Sequence, residues 1–439
     1  MAMAYRRVVR LLVLSLAVTH AAIAADLDHT SSTTDDLATA LVHAQTAPVS
    51  DGSADAQRIA KIASDAMSSY HLRSVEVAVA HNGKVVYSGA LGESMSGERA
   101  TTNMHFRNGS FAFTYIATLA LVMVDRQRLD LEDRVSKYLP DIPHSAEITV
   151  RQLLNMTSGY TDYVYATPVL DMYSSDPFHQ WTTDELIEIG ASPPLQFAPG
   201  SNWGYSHTNY MILGKLLPKV TRMPLAASLM KYVLKPMRLE HTQGARTAAI
   251  PDPVMHTFSS ERRGALGILP EIPFYEETTF WSPSWTLPAG ATLSTTIADL
   301  VTTMDAVARG TILSNASHHA QTDDRLSGFG HKDPACPQCF QNTHEHNYGL
   351  GLINQKQWVT QTMFFSGHGA SAGAIASRRL SIAVSITYAP QAFDATGEYR
   401  NASDDIFRTL ADALAPGTGP AAPGSVGAGH KNGQGYSPL

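Results

Sequence analysis

The stretch "SVEVAVAHNGKVVYSGALG", beginning at Ser74, constrains the fold more than any other part of this chain. Apolar residues alternate on both sides of Asn82-Gly83, the period of a half-buried strand. Asn-Gly supplies the positive-φ positions of a tight turn, so the stretch reads as a β-hairpin. A further strand is expected at the far end, in "LSIAVSITYAP" from Leu380. An amphipathic helix follows it in "ASDDIFRTLADALAP", with a cap expected near Ser403. Between these ends the text is mostly helical. One antiparallel sheet built from both ends of the chain, with helices on its faces and a helical lobe beside it, satisfies that order. A small-molecule site is then expected in the cleft between the two lobes.

The remaining elements fit this plan. Ile59, Ile62, Ala63, Ala66 and Met67 recur at helical spacing, so a helix starts near Asp55. Residues 110–126 form a long apolar helical run, and helices are expected near 183–190 and 208–235. "ATLSTTIADLVTTMDAVARG" reads as a turn entering a helix, with Asp299 on its first turns. Residues 25–54 are polar and linker-like, residues 55–415 carry the folded domain, and the Gly/Pro-rich text of 416–439 reads as a flexible tail.

A chain of 439 residues that is 44% hydrophobic can build a substantial core. A formal charge of -7 without basic runs gives no reason to expect nucleic acid. Residues 1–24 read as a secretory signal peptide: a basic start, an apolar core and Ala22-Ile23-Ala24 as the small-x-small cleavage site. The apolar run is shorter than the roughly 20 residues of a membrane span, so no stable anchor is expected after cleavage. The protein is therefore expected to be exported, periplasmic or secreted. Cys336 and Cys339 are expected to form a local disulfide in that compartment; the open alternative is four zinc-type ligands with His344 and His346.

The motifs carry the chemistry. "FRNGS" precedes the apolar helix, "LDLEDRVSKYLPDIP" follows it, and "ITVRQLLNMTSGYTDY", "FAPGSNWGYSHTNYMILG" and "PAGATLSTTIADL" come in order. This series resembles the serine β-lactamase-related family of exported hydrolases, which includes D-Ala-D-Ala carboxypeptidases, class C β-lactamases and related esterases. The resemblance runs from about residue 56 to about residue 415. It implies an α/β (α+β) fold, with an antiparallel sheet flanked by helices and an all-helical lobe. It also implies covalent acyl-enzyme chemistry needing no cofactor and no metal, in which a serine attacks a carbonyl, a lysine one turn along tunes it and a tyrosine moves protons.

Carried over residue by residue, the resemblance is uneven. Ser110 matches the nucleophile, but Phe113 stands at the lysine position. Tyr205 matches the second motif's tyrosine, whereas His207 replaces its asparagine and Met156 replaces an earlier histidine. Gly367-His368 resembles the third motif, with Ala370 in place of its last glycine. Phenylalanine cannot accept a proton, and a tyrosine of pKa about 10 is about one part in a thousand phenolate at neutral pH. Losing general-base help costs roughly a hundred- to ten-thousand-fold in rate. His207 is the expected replacement base, since imidazole titrates near neutrality. His368 is a second candidate, expected to contact an oxyanion or a substrate carboxylate.

The expected function is a serine hydrolase acting through Ser110 on an ester or amide, drawn from peptidoglycan peptides, lactams and small esters. The alternative is a catalytically silent member of the same fold that binds a ligand or partner. The aromatic segment "FYEETTFWSPSWTLPAG" reads as a hydrophobic plug between the lobes, or else as a cleft wall selecting an apolar acyl group. Oligomeric state is left open.

Overall fold

The computed structural model describes residues 48–244, 247–323 and 325–420. The signal-peptide reading of 1–24, most of the 25–54 linker and most of the 416–439 tail lie outside the described residues.

The strands, in chain order, are β1 (Val49–Ser50), β2 (Leu72–His81), β3 (Lys84–Met95), β4 (Glu98–Arg99), β5 (Phe106–Arg107), β6 (Phe258–Ser259), β7 (Glu276–Glu277) and β8 (Ser294–Thr295). They continue with β9 (Asn347–Tyr348), β10 (Ile353–Gln355), β11 (Trp358–Phe365), β12 (His368–Ile375) and β13 (Leu380–Tyr388). The described residues form a nine-stranded sheet ordered β1-β3-β2-β13-β12-β11-β10-β9, with β4 beside β3. The N-terminal hairpin therefore pairs directly with the last strand, β2 against β13, antiparallel. Asn82 and Gly83 take φ of 54° and 74°, the left-handed pair that a two-residue turn requires.

Alternation along the central strands gives the sheet two different faces. Val75, Val77, Val79, Ile382, Val384 and Ile386 face a core shared with α1 (Ala54–Ser69) and with the C-terminal helix Ala402–Leu414. The opposite face is built from small residues, among them Ala78, Ala80, Ala370, Ala372 and Ala383. Short side chains let the helical part of the molecule approach that face closely. The helices there are α2 (Phe111–Asp125), α3 (Val150–Leu154), α4 (Thr167–Ser175), α5 (Thr183–Ala191), α6 (His207–Thr221), α7 (Leu225–Leu229), α8 (Ile297–Arg309) and α9 (Asn315–Thr322), with the C-terminal helix becoming α10. Thirteen of the fifteen residues of α2 are buried, so it runs through the middle of this core.

Several boundaries differ from the sequence reading for identifiable reasons. The helix expected over 208–235 breaks, because Arg222 turns left-handed (φ 55°) and Pro224 precedes a restart at Leu225. Part of the supposed linker is sheet: Val49 pairs with Ser88, and the Ser53 hydroxyl caps α1 by accepting from the Ala56 amide. The first residues of the supposed tail are packed, since Trp358 Nε1 donates to the Thr418 carbonyl at 3.1 Å. The last helix starts from Asn401 rather than Ser403; Ser403 Oγ donates to Asn401 Oδ1 at 2.6 Å. No helix of the described residues is long and apolar enough to cross a membrane.

Candidate active site

Ser110 is delivered by a short strand and a strained glycine. β5 pairs with β8, Phe106 opposite Thr295, and Asn108 Nδ2 donates to Thr292 Oγ1 at 2.9 Å. Gly109 then takes φ 46°, and a Cβ there would lie 2.8 Å from Met363 Cβ, so the chain passes tightly along β11 before α2 begins. Ser110 sits at the N-cap of α2 yet makes no side-chain capping bond. A capping serine ordinarily spends its oxygen on a helix amide; this one keeps it for the cleft, where it accepts from the Tyr205 hydroxyl at 3.2 Å. The first-turn amides of Phe111, Ala112 and Phe113 are taken by the carbonyls of Asn108, Gly109 and Ser110.

Tyr205 lies just before α6, and His207 is the first residue of that helix. The segment is held from behind by the Cys336–Cys339 disulfide. Gly204 bridges Cys339 in a β-bridge, its missing Cβ leaves room for both sulfurs, and Trp203 packs on Phe340 with centroids 4.2 Å apart. Bonded sulfurs offer no thiolate, so the zinc alternative with His344 and His346 is set aside; His346 is instead half-buried beside Gln355, and desolvation pushes its pKa down to about 4. Burial pushes the Tyr205 phenol well above its ordinary pKa, with the neighbouring Tyr348 adding to the effect. The phenol therefore stays neutral and donates a hydrogen bond to Ser110.

His207 is oriented by a residue that sequence reasoning passed over. Its Nδ1 lies 3.0 Å from Asp162 Oδ2, and its backbone N–H donates to Asp162 Oδ1 at 3.1 Å. Asp162 is buried and also accepts from the Val164 amide at 3.3 Å. A carboxylate at Nδ1 fixes the proton there and leaves Nε2 as the acceptor. The only signal for Asp162 was an acid in an otherwise aromatic stretch, "GYTDYVY".

Phe113 is fully buried and fills the position expected for lysine. It stacks on Tyr210 at 4.1 Å and meets the His207 ring edge-on at 5.5 Å. Ser110, Phe113 and His207 all line one cavity of ≈ 30 Å³, together with Tyr165, Trp285, Leu287 and the β11 segment Thr362–Phe365. That space holds water rather than a bulky ligand. Among the described hydrogen bonds Ser110 has none to His207, so a proton would pass between them through a small side-chain movement or a water.

The structure does not bring His368 to this cavity. A two-residue turn, Ser366-Gly367, pairs Phe365 with His368, so the histidine opens β12 instead of ending the cleft strand β11. It is buried, lies 3.0 Å through Nε2 from Ser385 Oγ and packs edge-on against Phe106 at 5.2 Å. Burial, with the Arg107 charge nearby, pushes its pKa down to about 3. The expected oxyanion or carboxylate contact is therefore corrected: His368 is a neutral core residue. The aromatic segment divides as well. Trp285 forms part of the cavity wall, Trp281 packs against Tyr173 at 5.5 Å, Tyr275 stacks on Phe258 at 5.2 Å and Phe280 is exposed.

Comparison with known proteins agrees with this architecture. Over 200 residues the chain is 30% identical to the esterase EstB of Burkholderia gladioli, covering 43% of this chain and 51% of that one. Over 183 residues it is 27% identical to a penicillin-binding protein of Bacillus subtilis (strain 168), covering 41% and 40%. The matches span between about a third and a half of the length of such curated relatives. The crystal structure of D-amino acid amidase from Ochrobactrum anthropi superimposes with a TM-score of 0.68 at 20% identity, over 82% of this chain and 99% of that one, which shows the shared fold. A family model described as Beta-lactamase matches residues 59–405, and the chain belongs to that family.

Proposed function

We propose that this protein is a serine hydrolase in which Ser110 is acylated by an ester or amide and His207, oriented by Asp162, replaces the lysine of the usual motif. The observation that carries the reading is the Asp162–His207 pair, 3.0 Å apart, opening on the same cavity as Ser110. Ser110 Oγ attacks the acyl carbon while its proton goes to His207 Nε2, and the protonated imidazole then returns that proton to the leaving group. Tyr205, held neutral, donates to Oγ and keeps the hydroxyl aimed into the cleft. With the amides of Phe111, Ala112 and Phe113 already bonded, α2 favours the negative charge that develops on the carbonyl oxygen through its dipole alone. The names of the relatives, an esterase, a penicillin-binding protein and an amidase, support acyl transfer at this site without choosing among ester, peptide and lactam. The basic, then apolar N-terminus supports action after export.

A second reading, a silent serine in a ligand-binding cleft, is favoured by Phe113 filling the space beside Ser110. Intact-mass measurement with a fluorophosphonate probe decides between them. One covalent adduct on the wild type and none on Ser110→Ala is expected for the hydrolase. An unlabelled wild type would establish the silent serine.

A further inference from the structure

Behind the cleft wall a single carboxyl ties together three segments that each carry part of that wall. Glu261 follows β6 and is half-buried. Ser259 Oγ donates to its Oε2 at 2.8 Å, and Tyr399 Oη donates to its Oε1 at 3.3 Å. The Tyr173 hydroxyl, from α4, lies 3.5 Å from Oε2 and 2.9 Å from Ser366 Oγ. Tyr399 also accepts from the Gly367 amide at 2.7 Å. The packing is close as well as bonded: a Cβ on Gly367 would lie 1.8 Å from the Phe258 carbonyl oxygen, and one on Gly397 2.1 Å from that of Ser260.

The three segments reach the Ser110 cavity by short paths. Ser366 follows Phe365 at the end of β11, Asn401 lies two residues beyond Tyr399, and both Phe365 and Asn401 line the cavity. Tyr173 packs edge-on against the cavity residue Trp285 at 5.2 Å. Glu261 itself does not line that space, so it acts on the cleft only through these neighbours.

Among the described residues no cation pairs with this carboxyl. Arg262 is committed to Glu276 at 2.9 Å, Arg263 to the Leu269 carbonyl and Arg400 to Asp405. On β7, opposite β6, Glu277 pairs with His256, and on β2 Arg73 donates to the Ser94 carbonyl. The groups that face Glu261 are the phenols of Tyr173, Tyr399 and, from β13, Tyr388. Asp171 of α4 and Glu398 beside Tyr399 add only negative charge. Burial outweighs the hydroxyl donors and pushes the carboxyl up to about 7. The folded chain therefore keeps a proton that the unfolded chain gives up near pH 4.5. The bonded arrangement is favoured in acid and weakens as pH rises through about 7. An ionised Glu261 would be a desolvated charge without a counter-ion, a cost relieved by admitting water between Tyr173, Tyr399 and the Ser366-Gly367 turn.

We propose that Glu261 is a latch on the cleft wall, which when protonated clamps the end of β11, Tyr173 and the Asn401 segment together and when ionised lets them part. The latch goes beyond the acyl-transfer reading and does not depend on Ser110 being acylated. It makes Glu261 a positioning residue for whatever the cleft holds.

The test reads intrinsic tryptophan emission and its quenching by acrylamide from pH 5 to pH 9, because Trp281 and Trp285 both pack on Tyr173. The wild type is expected to show a red shift and stronger quenching with a midpoint near pH 7, smaller in Trp285→Phe. Glu261→Gln holds a neutral amide in place of the acid and is expected to lose the transition. Ser259→Ala removes the 2.8 Å donor to the carboxylate and is expected to move the midpoint to higher pH, a shift that a merely structural Glu261 would not give. Emission that stays flat across the range overturns the latch. So does a transition that persists in Glu261→Gln, as titration of His207 or His179 would produce, or a midpoint indifferent to Ser259. A transition that follows Glu261 in a protein whose Ser110 is never labelled removes the nucleophile reading and leaves the latch standing.

Discussion

Asp162 grips His207 twice, accepting from its backbone N–H at 3.1 Å and lying 3.0 Å from its ring Nδ1. The double contact fixes the first residue of α6 and the direction of its imidazole together. It places an Asp–His pair beside a helix-start serine, on a fold where a lysine would be expected to do this work.

Replacing the carboxylate with its amide tests that pairing. Asp162→Asn preserves the volume but allows the imidazole proton to move to Nε2, the atom needed as acceptor. The fluorophosphonate labelling rate is expected to fall about a hundred- to ten-thousand-fold. Near-unchanged labelling would mean that Asp162 only supports the fold.

Phe113 carries stability where the family carries chemistry. Truncating a fully buried phenylalanine costs about 3–5 kcal/mol, and here it would also remove the stack on Tyr210 and the edge contact to His207. Phe113→Ala is expected to lower the unfolding free energy by that amount, read as a lower urea midpoint at unchanged m-value. A Phe113→Lys variant should be less stable still, because the ammonium would be buried without an acid within the aromatic cluster.

Buried carboxyls give stability a definite pH dependence. Glu76 is fully buried on β2, and burial holds its pKa well above the usual range. The unfolded chain ionises this group from about pH 4.5 upward while the folded chain keeps it protonated, so the folded state binds the extra proton and stability falls as pH rises toward the raised pKa. Buried His368, with its pKa down at about 3, works the other way: its contribution is lost as pH falls below about 6.5. Comparing Glu76→Gln with wild type isolates the first effect. The variant's Tm relative to wild type should rise steadily from pH 5 to pH 8, each step read by calorimetry.

The disulfide should matter to catalysis through Gly204. Cys336→Ser with Cys339→Ser removes a short covalent loop worth about 1–2 kcal/mol and frees the chain beside Tyr205. A lower Tm together with slower Ser110 labelling is expected. Slower labelling would not follow if the loop were purely peripheral.

The sequence carried the frame of this molecule clearly and the site only in part. Asn82-Gly83 fixed the hairpin because few dipeptides tolerate two positive φ values, and the alternating run at Leu380 identified its partner strand. Ser110, Tyr205 and His207 could be nominated from local motifs, and the structure sets Tyr205 against Ser110 and puts His207 on the same cavity as Ser110. Asp162 could not be: it precedes His207 by 45 residues, and tertiary contacts bring the two together, Ser206 Oγ and Thr208 Oγ1 both donating to the Thr161 carbonyl beside it. His368 was misplaced for a related reason. A motif read along the chain cannot show that the Ser366-Gly367 turn comes before the histidine and sends it to the strand behind the cleft. The disulfide was one of two open alternatives, and the geometry at Gly204 gives it a role that spacing alone did not suggest.

The central claim is that His207, and not Tyr205, takes the proton from Ser110. It is tested most directly by the second-order rate of Ser110 labelling in His207→Ala and Tyr205→Phe, followed by intact mass at neutral pH. The account predicts a loss of at least about a hundredfold for His207→Ala and no more than about tenfold for Tyr205→Phe, since the tyrosine only donates a hydrogen bond. The opposite ranking, with Tyr205→Phe silent and His207→Ala near wild type, would contradict it.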